Sequence, residues 1–263
     1  MDALMPALAG LLGLVIGSFL NVVIHRVPRA ESLVRPGSHC PNCHIEIRPW
    51  QNVPVLSWLA LRGRCAGCRE PISVRYPLVE LATAALFAAV TARFGPVPEL
   101  PAYLYLTAVA VALTMIDIDV QRLPDAIVKP SYAVGALLLL PAVLTGAGWT
   151  PALRGLAAMA ALYAFYFALT WIHPGGMGLG DVKLAGLLGL YLGWLGWSAV
   201  IVGTFAAFLL GGLAGGVLLA TGKAGRKTAV PFGPAMLAGA LLALFTAGPV
   251  AAWYTGLLLP ASA

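Results

Sequence analysis

Apolar runs of about twenty residues recur along nearly the whole chain, at roughly 5–24, 77–94, 101–116, 126–145, 151–172, 182–195, 197–219 and 233–259. Coiled as a helix, a run of that length spans the roughly 30 Å of hydrocarbon in a bilayer, where a backbone must satisfy its own hydrogen bonds. Only 10% of the 263 residues are charged and 60% are hydrophobic, against roughly 25% charged in an ordinary soluble domain. A soluble globular protein is therefore excluded, as are a disordered chain, a collagen-like repeat and a disulfide-dense secreted domain. The expected fold is an all-α polytopic membrane protein with about eight transmembrane helices. Some runs are shorter than a full crossing and the break near Gly193–Gly196 is weak, but 182–219 is too long for one crossing and reads as two.

The first run is preceded by Met1 to Leu4, which carry Asp2 and no lysine or arginine, and no small-residue cleavage site precedes Arg26. It reads as a retained helix, not a signal peptide. The cations sort by connection. Eight arginines fall in 25–76, Arg122 and Lys129 near the third connection, Lys183 near 173–183, and Lys223, Arg226 and Lys227 in 220–232, leaving only Arg93 and Arg154 for the other side. Fourteen against two places these four connections in the cytoplasm and both termini outside. The net charge of +6 is thus mainly topology, and no nucleic-acid partner is expected.

The loop 25–76 holds all four cysteines, as Cys40-Pro41-Asn42-Cys43 and Cys65-Ala66-Gly67-Cys68. Two C-x-x-C turns can bring four thiolates onto one tetrahedral metal, the spacing of a zinc ribbon. The alternative, a pair of disulfides, is disfavoured in a reducing cytoplasm. His39 and His44 flank the first pair and read as solvated loop residues. The expected organisation is a first helix (1–24), a tetracysteine metal-binding domain (25–76) and a membrane domain (77–263).

Four acids stand at the cytoplasmic ends of apolar runs: Asp117, Asp119, Asp125 and Asp181. A carboxylate so close to hydrocarbon is costly to keep. Two crossings separate Asp117 from Asp181, so the two lie on one face and can meet. A close carboxylate pair retains one proton, which lets the ionised member activate water while the protonated one polarises a carbonyl, as in an aspartic peptidase. Gly178 and Gly180, before Asp181, would leave room for an extended peptide. Asp119 and Asp125 read as a loop charge and a helix cap. Glu80, at the start of the second run, is a candidate for binding substrate or methyl donor, or an interfacial partner of Arg75. Trp50, Trp58, Trp171, Trp194 and Trp197 read as interface anchors.

Several blocks in order resemble the type IV prepilin peptidase family, whose members are leader peptidases and often N-methyltransferases. They are Gly17-Ser18-Phe19-Leu20-Asn21-Val22-Val23-Ile24-His25-Arg26-Val27-Pro28, both cysteine pairs with Asn52-Val53-Pro54-Val55-Leu56-Ser57-Trp58 between them, and Arg75-Tyr76-Pro77-Leu78-Val79-Glu80. Ile116-Asp117 through Leu123-Pro124-Asp125, Gly176-Met177-Gly178-Leu179-Gly180-Asp181-Val182-Lys183 and Pro231-Phe232-Gly233-Pro234 follow. The resemblance implies that Asp117 and Asp181 are the catalytic pair of a GxGD aspartic peptidase in the bacterial inner membrane. It implies a type IV prepilin or type II secretion pseudopilin as substrate, cut before its hydrophobic helix, and methylation of the new N-terminus with S-adenosylmethionine. The methyl transfer comes from the resemblance alone, since the chain has no dinucleotide-type glycine fingerprint. The stretch between Val27 and Cys40 is shorter than in some relatives. A multi-pass transporter using its acids for proton or cation coupling is the alternative, and it would place them nearer mid-membrane.

Overall fold

The computed structural model describes residues 3–172, 177–222 and 231–258. Gly176 of the glycine-aspartate block and the cations Lys223, Arg226 and Lys227 lie outside the described residues. Eight long helices occupy the eight apolar runs: α1 (Leu4–Arg26), α3 (Arg75–Phe94), α4 (Leu100–Val120), α5 (Asp125–Ala142), α6 (Trp149–Ile172), α7 (Leu179–Leu195), α8 (Trp197–Ala220) and α9 (Gly233–Leu258). A short helix, α2 (Leu56–Ala60), lies in the loop after α1, and the described residues include no extended strand.

Seven of the long helices are long and apolar enough to cross a membrane. The exception is α7, whose 17 residues rise about 25 Å at 1.5 Å per residue, less than the roughly 30 Å core. It is sheathed by protein instead of lipid: every residue from Leu184 to Trp194 is buried, against α5, α6, α8 and α9. Trp194 is therefore a core residue, not an interface anchor. The weak break expected at Gly193–Gly196 is a real one, because Gly196 adopts φ 151°, which ends α7 and lets α8 begin one residue later.

The chain divides into two compact units, Met1–Leu100 with Leu104–Ala112, and Pro101–Tyr103 with Leu113–Ala263. In the first, α1 packs on α3 with almost no side chain between the backbones: a Cβ on Gly13 would sit 2.7 Å from Ala84 Cα, and one on Gly17 2.7 Å from Glu80 Cα. In the second, α6 and α7 meet the same way, Gly189 against the Ala158 carbonyl and Gly193 against Ala158 and Gly155. Lipid tails are as apolar as leucine, so close approach of small residues and dense packing replace hydrophobic driving force between such helices. Arg154, an isolated cation in an apolar run, donates from Nε to Gly193 O and from Nη2 to Trp194 O, both at 2.6 Å. It satisfies carbonyls that the end of α7 leaves open and complements the negative end of its dipole.

Candidate active site and metal centre

The tetracysteine loop is built from two copies of one turn. Cys40 N–H donates to Ile45 O and His44 N–H to Cys40 O. In the second copy Cys65 N–H donates to Glu70 O and Arg69 N–H to Cys65 O. Bridges His39–Glu46 and Arg64–Pro71 close the two turns at equivalent positions. His44 and Arg69 occupy the same left-handed place, at φ 56° and 63°. His44 is thus a turn residue and His39 binds Gly37 O through Nδ1, so neither joins the thiols. Trp58 donates Nε1–H to Ile72 O and packs over Gly63, whose Cβ would meet its ring at 2.8 Å. Half-buried, it is held within the loop by these contacts.

The four Sγ atoms lie within 4.8 Å of one another, with Cys40–Cys68 at 3.8 Å and Cys43–Cys65 at 3.9 Å. A tetrahedron with metal–sulfur bonds of about 2.3 Å has edges of about 3.8 Å, whereas a disulfide needs about 2.05 Å. The cluster can hold a metal ion. Amides of Cys68 and Gly67 hold the Cys65 thiol down at about 6. Cys43 is favoured as thiolate by the Ile45 amide, yet burial and the three other thiols push it up to about 11. One thiolate is thus ready while a neighbour keeps its proton until a cation arrives.

Glu80 is 7% exposed in the second turn of α3. Its Oε2 accepts the Val55 N–H at 2.8 Å, and the Ser18 hydroxyl also bonds its carboxylate. The bonded Val55 sits at φ 60°, a region a β-branched residue rarely enters.

In the other unit Asp117 and Asp181 lie near enough for the charge of one to act on the other. Asp117, in the last turn of α4, is 5% exposed and accepts the Gly233 N–H at the start of α9. Asp181, in the first turn of α7, accepts the Gly178 N–H on Oδ2 at 3.1 Å, and its own N–H returns to Gly178 O at 3.1 Å. Each acid is therefore held by an amide at a helix start, where the dipole favours negative charge. After α4 the backbone turns at Gln121 (φ 51°) and brings Leu123 between the two acids' supports. Leu123 Cβ would lie 3.3 Å from a Cβ on Gly180, and its Cδ2 3.3 Å from one on Gly233. A side chain at Gly180 would press on Leu123, which would have to give by a few tenths of an ångström. Gly178 is under no such constraint, since its Cβ would meet Asp181 Oδ2 at an ordinary 3.6 Å.

Asp119 is exposed. Asp125 is the first residue of α5 and pairs with Lys129 at 2.7 Å and with Lys183 at 2.8 Å, tying the start of α5 to the start of α7. Sequence reasoning missed two residues of the site. Gly233 was visible only as part of a motif without a role. Tyr166, an α6 residue 2% exposed that feels the Asp181 charge and stacks on Phe208, is one aromatic among many in an apolar run.

The family model described as "Bacterial Peptidase A24 N-terminal domain" matches residues 11–94, and that described as "Type IV leader peptidase family" matches residues 104–217. A "Prepilin leader peptidase/N-methyltransferase" of Stutzerimonas stutzeri is 38% identical over 92% of this chain and 91% of its own. Proteins of the same description from Aeromonas hydrophila (39%, 94% and 93%) and Neisseria gonorrhoeae (39%, 91% and 90%) are equally similar. The chain belongs to the type IV leader peptidase family. Its leader peptidase match contains both Asp117 and Asp181, while the N-terminal match contains the four cysteines and Glu80. Gly233 lies beyond both matched segments. No solved structure matches the chain significantly.

Proposed function

We propose that this multi-pass membrane protein is an aspartic endopeptidase that removes the leader from type IV prepilins or type II secretion pseudopilins and then methylates the new N-terminus. The observation that carries the reading is the placement of Asp117 and Asp181, each held by the amide of a glycine at a helix start, with Leu123 beside both Gly180 and Gly233 and the charge of Asp117 acting on Asp181. Acids at helix ends, not mid-helix, also disfavour the transporter alternative.

The pair holds one proton between its members. The ionised carboxylate takes a proton from water as the water oxygen attacks the scissile carbonyl carbon, and the protonated one gives its proton to the carbonyl oxygen. Collapse of the tetrahedral intermediate returns that proton, breaks the C–N bond and delivers the other proton to the leaving amine. Gly233 and Gly178 amides fix both carboxylates beforehand, which is where positioning and electrostatic preorganisation supply rate.

Residues 25–76 form the metal-binding domain, with Cys40, Cys43, Cys65 and Cys68 holding structural zinc, and 77–263 the peptidase domain after the first helix (1–24). S-adenosylmethionine supplies an electrophilic methyl group to the free amine. The distribution of cations, fourteen against two, supports an inner-membrane orientation with loop and acids cytoplasmic and both termini outside.

The test is Asp117→Asn and Asp181→Asn in purified protein incubated with a prepilin, with mass spectrometry of the product. Each should lower cleavage by about 10³-fold or more, equivalent to about 4 kcal/mol of transition-state stabilisation, while zinc content stays at one per chain. Retained cleavage in either variant overturns the assignment. Cleaved but unmethylated product from the wild type removes the methyl-transfer half alone.

A further inference from the structure

Where α1 meets the following loop, the first unit contains a cavity of about 340 Å³, lined on one side by Ser18, Phe19, Val22 and Arg26 and on the other by segments around Pro36 and Asn52. That volume lies within the roughly 300–1,000 Å³ of small-molecule sites. One buried charge, Arg26, lies in its wall, and a second, Glu80, is reached from it only through Ser18. Arg26 is 9% exposed and donates to three carbonyls, from Nη1 to Ser32 O at 2.9 Å and from Nη2 to Pro36 O at 2.8 Å and Gly37 O at 3.4 Å. A guanidinium has five N–H donors, so Nε–H and one Nη1–H remain. Glu80 stands behind Ser18, which bonds its carboxylate and itself lines the cavity.

Among the described residues neither Arg26 nor Glu80 has an oppositely charged partner. A buried cation served only by carbonyl dipoles favours an anion, and a buried carboxylate served only by neutral donors favours a cation. A cavity with Arg26 in its wall and a Ser18 hydroxyl backed by Glu80 suits a zwitterion. The apolar wall of Phe19 and Val22 suits a flat, weakly polar group on the same molecule. S-adenosylmethionine has these parts: an α-carboxylate, a cationic sulfonium and ammonium, and an adenine. We infer that this cavity is the methyl-donor site, with Arg26 binding the donor's carboxylate and the Ser18–Glu80 pair facing its cationic end.

The inference rests on the methyl-transfer half of the proposed function. Its test is calorimetric binding of S-adenosylmethionine and of its decarboxylated analogue to the purified, zinc-loaded protein. The intact donor should bind at least tenfold more tightly than the decarboxylated one, and Arg26→Gln should abolish that preference. Because Arg26 also holds loop carbonyls, a second variant guards against simple misfolding. Val22→Trp, which fills the cavity, should weaken both ligands at least tenfold with zinc retained, whereas Leu11→Trp, an exposed residue of the same helix, should weaken neither. Wild-type affinity in Val22→Trp, or equal affinity of the wild type for the two ligands, overturns this site while methylated product from the wild type keeps the methyl-transfer reading. Absence of both donor binding and methylated product removes the two together.

Discussion

Gly233→Ala probes the proposed chemistry with one methyl group. Its Cβ would lie 2.6 Å from Asp117 Oδ2, 3.3 Å from Asp117 Cγ and 3.3 Å from Leu123 Cδ2. A carbon–oxygen contact of this kind settles near 3.3 Å, so about 0.7 Å must be found. The backbone of α9 is anchored by its own helix, and Leu123 is held against Gly180 on its other side. The Asp117 carboxylate, the free end of a short side chain, is what moves. Such a displacement, approaching 1 Å, costs a positioned catalytic group about 10²-fold in rate, or about 2.7 kcal/mol. The helix itself should not suffer, because alanine is a better helix former than glycine by up to about 1 kcal/mol. The measurement is prepilin cleavage in detergent alongside thermal unfolding, with Gly248→Ala in the same helix as control, where no atom lies within 4 Å of the new Cβ. The expected result is a roughly hundredfold loss of rate with unfolding temperature unchanged or raised. Cleavage by Gly233→Ala within twofold of wild type would refute Asp117 as a reacting group held in this geometry.

Metal uptake should release protons, because Cys43, pushed up to about 11, carries its proton at neutral pH and must lose it to become a ligand. Zinc affinity of the metal-free protein should therefore fall as pH falls, steepening below about 6 as Cys65 also protonates; a titration in weakly buffered solution with a pH indicator that records no proton release contradicts this. Gly193→Ala should weaken the α6–α7 contact, since its Cβ would lie 2.5 Å from Ala158 Cβ and 2.8 Å from the Arg154 carbonyl. Overpacking of this kind costs about 1–3 kcal/mol, read as a lowered unfolding temperature against Gly212→Ala, which meets nothing within 4 Å.

Much of the architecture was legible because hydrocarbon leaves a backbone few options: each apolar run became a helix, with ends near those the polar breaks marked. The four-thiol cluster was equally legible, since each C-x-x-C pair is local and the two pairs share one loop. The tryptophans were harder to read. Trp58 and Trp194 have the same chemistry as Trp171, which is 80% exposed, and only packing separates them. Arg154 looked like a topological charge and is a helix cap.

The sequence by itself determined what the chain can be: a bundle of helices forced by apolar runs, four thiols brought within reach of one another by spacing, and a set of carboxylates at the ends of apolar runs. The tertiary structure decided which of these groups come together. Asp117 and Asp181 stand 64 positions apart in the chain, and the amide that holds Asp117 comes from Gly233 on a third helix. Likewise, Glu80 of α3 meets Ser18 of α1 and the Val55 amide of the loop only because those three segments fold against each other. Helix formation is local and follows from solvent and hydrogen bonding. The meeting of particular side chains depends on which glycines let which backbones approach, and that becomes visible only once the helices have packed.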